Sequence, residues 1–189
     1  MMRLLFIVLA MIATITSFAQ QKDVTSFLGI PVDGTVLSMK QKLVSKGFVP
    51  KKVGTNEFLE GEFNGTDVRV YIVTNNNKVY RIMLADNFTV DEAQIKIRFN
   101  NLVSQFENSK RYISLGKYTL SDEEDISYEM TVHNKNYEAA FYQVPNMEKA
   151  DTELMLMKPV WFKIVRVNGE YYICIFYDNE YNRSHGEDL

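Results

Sequence analysis

VWFKIVRVNGEYYICIFY, residues Val160–Tyr177, predicts a single β-hairpin. Asn168 and Gly169 stand between two β-rich runs, and both residue types accept the positive φ of a type I′ turn. A two-residue turn also sets the register of the two strands. It pairs Trp161 with Phe176, Phe162 with Ile175 and Ile164 with Ile173, and we expect the rest of the fold to be organised around this hairpin.

Both faces of the predicted hairpin are apolar. Alternate residues of a strand share a face. One face carries core residues, namely Val160, Phe162, Ile164, Ile173, Ile175 and Tyr177. The other carries Trp161, Val165, Val167, Tyr172, Cys174 and Phe176, interrupted by Lys163 and Glu170. Such a hairpin is either covered on both faces or offers one of them to a partner.

One possible role of this face is a partner surface made of Trp161, Val165, Tyr172 and Phe176, because Trp and Tyr are enriched at binding hot spots. The alternative is internal cover by the apolar run Leu154–Met157, which comes just before the hairpin and is apolar enough to fold over this face. The sequence leaves both possibilities open.

The first residues have the pattern of a secretory signal peptide. Met1–Arg3 is a short basic start, Leu4–Ile15 is an apolar run, and Ser17 and Ala19 place small residues at the −3 and −1 positions of a cleavage site. We therefore predict a signal peptide over residues 1–19 and an exported, periplasmic or secreted domain over residues 20–189. The apolar run is shorter than the roughly 20 residues that span a bilayer, so we expect no stable membrane insertion after cleavage.

The remaining periodicities predict an α+β fold in which an antiparallel sheet packs on two helices. The expected order is helix, three strands, helix, four strands, in two helix-plus-meander units over about residues 27–86 and 88–178. The first helix is predicted over Val36–Lys46, with Val36, Leu37, Met39, Leu43 and Val44 as its apolar positions, Asp33 or Thr35 as its cap and Gly47 at its end.

The second helix is predicted to open at a capping box of Thr89 and Glu92, with Phe88 as the staple, and to run to about Tyr112. Its apolar stripe is Ile95, Phe99, Leu102, Val103 and Phe106. The meander of the first unit spans Phe58–Leu84. Alternation of apolar residues predicts further strands over Ile126–Val132 and Tyr137–Val144.

Charge and motif content narrow the function classes. The chain has 21 basic and 24 acidic residues and no basic patch, which argues against nucleic acid as a partner. Its single cysteine, Cys174, cannot form an intramolecular disulfide; we expect a small buried residue, with a reactive thiol beside Lys163 as the alternative. The two histidines, His133 and His185, lie in no metal-ligand spacing, and no nucleophile-elbow or nucleotide-binding motif occurs. We therefore assign no catalytic residue, no metal and no cofactor.

The segment FLGIPVDGT, residues 27–35, followed by a helix ending in KGF, resembles the start of a family of small exported Bacteroidetes-type proteins. Their mature chains begin F-x-G-I-P-x-D-G-S/T and soon reach K-G-F, and the ending ICIFYDNEYN is similar to their last strand. The element order also resembles the tandem helix-plus-sheet units of β-lactamase-inhibitor-like and small outer-membrane-assembly proteins. The first resemblance implies export, and the second implies only an architecture.

From these observations we expect a non-enzymatic binding or interaction protein of the bacterial cell envelope, with another envelope protein as its partner. Two alternatives stay open. The architectural resemblance suggests an inhibitor of an envelope hydrolase. The other alternative is an enzyme whose site is assembled from scattered Tyr, Asp and Glu side chains.

Overall fold

The computed structural model describes residues 22–145 and 152–184, so the predicted signal peptide lies outside the described residues. An eight-stranded antiparallel sheet forms the centre of the fold. Its strands are β3 (Val49–Val53), β4 (Asn56–Phe63), β5 (Thr66–Asn75), β6 (Lys78–Asp86), β7 (Tyr112–Ser114), β8 (Glu138–Gln143), β9 (Pro159–Val167) and β10 (Glu170–Asp178). They lie side by side in the order β3-β4-β5-β6-β10-β9-β8-β7. A small second sheet pairs β1 (Ser26–Phe27) with β2 (Ile30–Pro31).

The described helices are α1 (Val36–Val44), α2 (Glu92–Glu107), α3 (Ile126–Val132) and α4 (Thr152–Leu156), followed by a 3₁₀ turn at Glu180–Asn182. A helix followed by four sheet strands thus occurs twice: α1 precedes β3 to β6, and α2 precedes β7 to β10. The last strand of each series, β6 and β10, pair with one another at the middle of the sheet. The predicted α+β class is confirmed.

The predicted hairpin is present with the predicted register. Trp161 lies opposite Phe176, Phe162 opposite Ile175 and Ile164 opposite Ile173. Asn168 and Gly169 have φ of 52° and 86°, as a type I′ turn requires. The hairpin is central in the sheet because β10 also pairs with β6, and β9 also pairs with β8.

One face of the sheet is packed against α1 and α2 and forms the core. Phe162 on β9 is fully buried, with the ring of Phe99 at 5.1 Å and that of Phe106 at 5.6 Å between centroids. All five residues of the predicted α2 stripe are buried, so the face assignment of this helix is confirmed.

The first described residues are tied to the strands of the second half. The side-chain amide of Gln143 pairs with the backbone of Ser26, accepting its N–H at 2.8 Å and donating to its carbonyl at 2.7 Å. Asp23 forms a buried ion pair with Lys158 at 2.7 Å. The hydroxyl of Thr25 donates to the carbonyl of Asp178. The N-terminal segment therefore fixes the end of β10.

Helix α1 begins at Val36 as predicted, with Thr35 as its cap, but it ends at Val44 rather than at Lys46 and buries fewer residues than expected. Gly47, with a φ of 97°, lies two residues beyond the C-cap residue Ser45. Met39 and Leu43 are buried, whereas Val36, Leu37 and Val44 are exposed by 44%, 67% and 45%. The prediction of a broad apolar stripe was wrong because this short helix contacts the sheet only along one i, i+4 row.

The start of α2 differs from the prediction. Its cap is Asp91, which accepts the N–H of Gln94 at 2.8 Å. Thr89 instead donates its hydroxyl to Glu170, and Phe88 is 68% exposed. Glu92 accepts the N–H of Ile126 at 2.8 Å, so it satisfies the first turn of α3 rather than its own. The helix also ends earlier than predicted, at Glu107.

The segment Ile126–Val132, predicted as a strand, is the helix α3. Its alternating apolar residues include the i, i+4 pair Ile126 and Met130, and these two contact the core. Asp125 caps the helix by accepting the N–H of Tyr128 at 2.8 Å. The cap from Asp125 and the tertiary hydrogen bond from Glu92 together favour the helix over the strand.

Candidate functional site

We define the outer face as the face of the eight-stranded sheet opposite α1 and α2. A row of cross-strand neighbours crosses this face from β5 to β8. The aromatic row consists of Tyr71, Met83, Phe176, Trp161 and Ala140, each opposite the next in the strand register. Phe176 is buried, and the other four are half-buried. Large apolar side chains thus occupy the outer face without α1 or α2 to cover them.

Trp161 is held on one side and by one edge. Its ring stacks on Phe176 with a centroid distance of 4.0 Å and an interplanar angle of 15°. Its indole N–H donates to Oδ2 of Asp178 at 3.0 Å. On the other side of Trp161 along the row stands Ala140, whose methyl group is too small to cover an indole ring. The ring face opposite Phe176 is therefore directed towards β8, where Ala140 does not cover it.

Asp178 connects Trp161 to a buried ion pair. Its carboxylate accepts two hydrogen bonds from Arg81, from Nε at 2.6 Å and from Nη2 at 2.7 Å. The Asp178 side chain is 2% exposed and that of Arg81 is 20% exposed. The guanidinium of Arg81 also lies 5.5 Å from the ring centroid of Trp161 and 5.0 Å from that of Phe176. The hydrogen bonds from Asp178 raise the pKa of Arg81, which keeps its charge.

A cleft of about 550 Å³ opens beside Trp161. We call it the Trp161 cleft. Its apolar lining is Trp161, Ala140, Tyr142, Leu156, Met157 and Pro159. Its charged lining is Glu138, Asp178, Glu180 and Arg183. This volume, with apolar walls and a few charged groups, lies in the range of small-ligand and side-chain binding sites.

The structure separates the four residues of the predicted partner surface. All four lie on the outer face, but only Trp161 lines the cleft, and Phe176 supports its ring from behind. Val165 and Tyr172 face one another further along the hairpin and are half-buried. Of the run considered as internal cover, Leu156 and Met157 form part of the cleft wall.

Several cleft residues could not have been selected from sequence. Ala140 and Tyr142 belong to a strand that was predicted, but its pairing with β9 was not. Arg81 and Asp178 are far apart in the chain and become neighbours only through the β6–β10 pairing. The sequence does contain one signal for the ion pair. Asp178 is a charged residue at the end of an otherwise apolar strand, and such a residue indicates a buried partner of opposite charge.

Cys174 lies on the outer face between Tyr172 and Phe176 and is 6% exposed. Burial raises the pKa of its thiol to about 11, although the nearby ammonium of Lys163 acts in the opposite direction. The thiol is therefore protonated near neutral pH and lacks the thiolate that a reactive cysteine needs. The alternative of a reactive thiol is not supported.

This pKa predicts a loss of stability at alkaline pH. An unfolded thiol ionises near its ordinary pKa of 9.0, whereas the native thiol does so at about 11. Between these values the unfolded state binds fewer protons, so raising the pH favours unfolding. We expect denaturant midpoints to fall between pH 9 and 11, and to fall less in Cys174→Ala. An identical fall in both proteins would contradict the assignment.

Within residues 22–145 and 152–184, no group of three or more His, Cys, Asp or Glu side chains is placed to hold a metal ion. None of the helices in these ranges is long and apolar enough to cross a membrane.

Comparisons with protein-family models, with curated proteins and with solved structures give no match. The class defined by the fold and the site is an α+β protein with an antiparallel sheet, one face in the core and the other bearing an aromatic cleft.

Proposed function

We propose that this chain is an exported, non-enzymatic binding protein of the bacterial cell envelope, and that its partner docks on the outer face at the Trp161 cleft. The observation that carries the proposal is the state of the Trp161 ring. One ring face stacks on Phe176, the indole N–H is satisfied by Asp178, and Trp161 lines a cleft on the side where the small Ala140 is its strand neighbour. A large aromatic surface that is rigidly held and partly open is typical of an interface anchor.

The placement of Ala140 supports the same proposal. A strand residue next to an aromatic ring on a sheet face normally gains stability from a larger apolar side chain, because cross-strand contacts stabilise the sheet. Alanine at this position leaves the Trp161 ring accessible instead. The half-buried row that continues through Met83 to Tyr71 extends this surface across the sheet.

The chemistry of the cleft favours binding over catalysis. An acid–base residue must exchange a proton with a substrate. Asp178 is the most buried carboxylate of the cleft, but its oxygens are already bound by Arg81 and Trp161. It therefore serves to position Trp161 and Arg81. If the captured partner proves to be a hydrolase, the inhibitor alternative becomes the specific form of this proposal.

Site-specific photocrosslinking in intact cells tests the proposed surface. A photoreactive phenylalanine analogue in place of Tyr142, inside the cleft, is expected to capture a discrete partner. The matched control replaces Tyr128, a tyrosine on α3 that is 51% exposed and does not line the cleft. Ala140→Leu should weaken the adduct strongly by covering the side of the Trp161 ring that faces β8. Equal capture from both positions, or capture that Ala140→Leu leaves undiminished, would contradict the proposal.

The proposed export leads to a separate prediction about the N-terminus of the mature chain. We expect the mature chain to begin at Gln20, since Ser17 and Ala19 satisfy the cleavage pattern. Intact-mass measurement on protein from the periplasmic and extracellular fractions checks this. A chain that retains Met1, or that stays with membranes after alkaline washing, would contradict both the cleavage and the location.

A further inference from the structure

The charged groups that line the Trp161 cleft are not balanced. Asp178 is paired with Arg81, and Glu180 is paired with Arg183 at 3.1 Å. Glu138 is exposed, and among the described residues no ion pair or hydrogen bond involves its carboxylate. Its cross-strand neighbour on the outer face is Lys163, and the two side chains form no ion pair in the described part of the chain. The cleft therefore holds one carboxylate in excess of its cations.

The ring of Trp161 also attracts a cation, as the excess carboxylate of the cleft does. A cation over an indole face is stabilised by the negative face of the ring, and more strongly so when water is excluded. The protein already uses this arrangement once, since the guanidinium of Arg81 lies against Trp161 and Phe176 while Asp178 neutralises it. In the cleft, Trp161 and Glu138 offer the same combination of an aromatic ring and a carboxylate. The cation in the lining, Arg183, is paired with Glu180 rather than with Glu138.

The apolar lining of the cleft suits the aliphatic part of a cationic side chain. Leu156, Met157 and Pro159 line the cleft together with Trp161. Arginine and lysine bury their aliphatic stems along apolar surface and keep the charged head against polar groups. An anionic ligand would meet three carboxylates, and a neutral ligand would leave the excess carboxylate without a counter-charge. The lining thus selects a cation on an aliphatic stem.

We propose that the Trp161 cleft binds an arginine or lysine side chain presented by a partner polypeptide, with the charge beside Glu138 and the stem along Leu156 and Met157. A polypeptide source is favoured because two lining residues, Trp161 and Ala140, belong to the aromatic row, which continues across the sheet and offers contacts beyond one side chain. This inference rests on the proposed binding function and specifies the chemistry of the partner.

The sole tryptophan of the chain reports directly on this cleft. Trp161 fluorescence is titrated with the peptide acetyl-Ala-Ala-Arg-Ala-Ala-amide, with the same peptide carrying neutral citrulline in place of arginine, and with free acetyl-arginine amide. We expect a saturable change with the arginine peptide. Affinity should fall about tenfold or more for the citrulline peptide and for the free amide, and should weaken with added salt.

Glu138→Gln tests the role of the carboxylate, and Glu62→Gln is the matched control. Both glutamates are exposed and lie on the outer face, but Glu62 is on β4, away from the cleft. Glu138→Gln should lower affinity for the arginine peptide about fivefold, since charge-assisted hydrogen bonds are about twice as strong as neutral ones. Glu62→Gln should leave the affinity unchanged, and neither variant should change the denaturant midpoint.

Equal binding of the citrulline peptide, or an effect of Glu62→Gln as large as that of Glu138→Gln, would overturn the cationic ligand. Equal binding of the free amide would overturn the polypeptide source. Absence of binding by every probe would overturn the inference as a whole. The photocrosslink from position 142 would still decide the proposed function, because it requires no assumption about the charge of the partner.

Discussion

Replacing Phe99 by alanine is expected to lower the free energy of unfolding by about 3–5 kcal/mol, the usual range for a fully buried phenylalanine. Phe99 is 1% exposed, and its ring contacts that of Phe162 at 5.1 Å between centroids. The substitution opens a cavity between α2 and the central hairpin. Equilibrium unfolding in urea, monitored by far-ultraviolet circular dichroism, measures the change.

The control for this variant is Ile97→Ala on the same helix. Ile97 is 63% exposed, so its truncation should change stability by less than about 0.5 kcal/mol. The comparison separates loss of core packing from any general effect on α2. A loss below about 1 kcal/mol for Phe99→Ala would show that the α2 stripe does not face the core.

Replacing Asp178 by alanine is expected to destabilise the protein by about 3–5 kcal/mol, as is typical when one member of a buried ion pair is removed. The variant leaves the guanidinium of Arg81 without its two hydrogen bonds and the indole N–H of Trp161 without its acceptor. It should also shift the Trp161 emission, because the ring loses the contact that fixes its edge.

Two further variants distinguish an unpaired charge from a local packing defect. In Asp178→Ala/Arg81→Met both charges are removed, so a substantial part of the lost stability should return. Glu180→Gln weakens the pair with Arg183, which is half-exposed, and should cost less than about 1 kcal/mol. The single variant Arg81→Met completes the comparison. If the double variant loses as much stability as Asp178→Ala and Arg81→Met lose together, the ion pair is not the source of the effect.

The sequence predicted those parts of the fold that depend on local chemistry. The Asn168-Gly169 turn determines the hairpin register through its own backbone preference, and the buried stripe of α2 follows from strong 3.6-residue periodicity. Both predictions are confirmed. The α+β class followed because such elements have few ways to bury their apolar faces.

The errors occurred where distant residues decide the local structure. Glu92 was predicted to cap its own helix, but its carboxylate accepts the backbone N–H groups at the start of α3. These long-range hydrogen bonds contribute to the helix over Ile126–Val132. No local pattern contains that information. The edge strand β3, over Val49–Val53, was also missed, because proline and two lysines weaken its strand signal while protecting an exposed sheet edge.

The candidate site was predictable only in part. Trp161 could be selected because the hairpin register places it on the second apolar face. The cleft itself depends on the alignment of β8 with β9 and on α4, neither of which local periodicity determines. Val165 and Tyr172 share the face of Trp161 but lie outside the cleft, since a sheet face is larger than the site built on it.

The central claim is that the second face of the Trp161 ring is open in a cleft that Ala140 leaves unfilled. Acrylamide quenching of the single tryptophan, measured on the purified protein and on Ala140→Leu, tests it most directly. We predict clear quenching in the wild type and a marked decrease in Ala140→Leu, with unfolding midpoints that stay equal or rise. A wild-type emission that is blue-shifted and protected from acrylamide, with no change in Ala140→Leu, would contradict the claim.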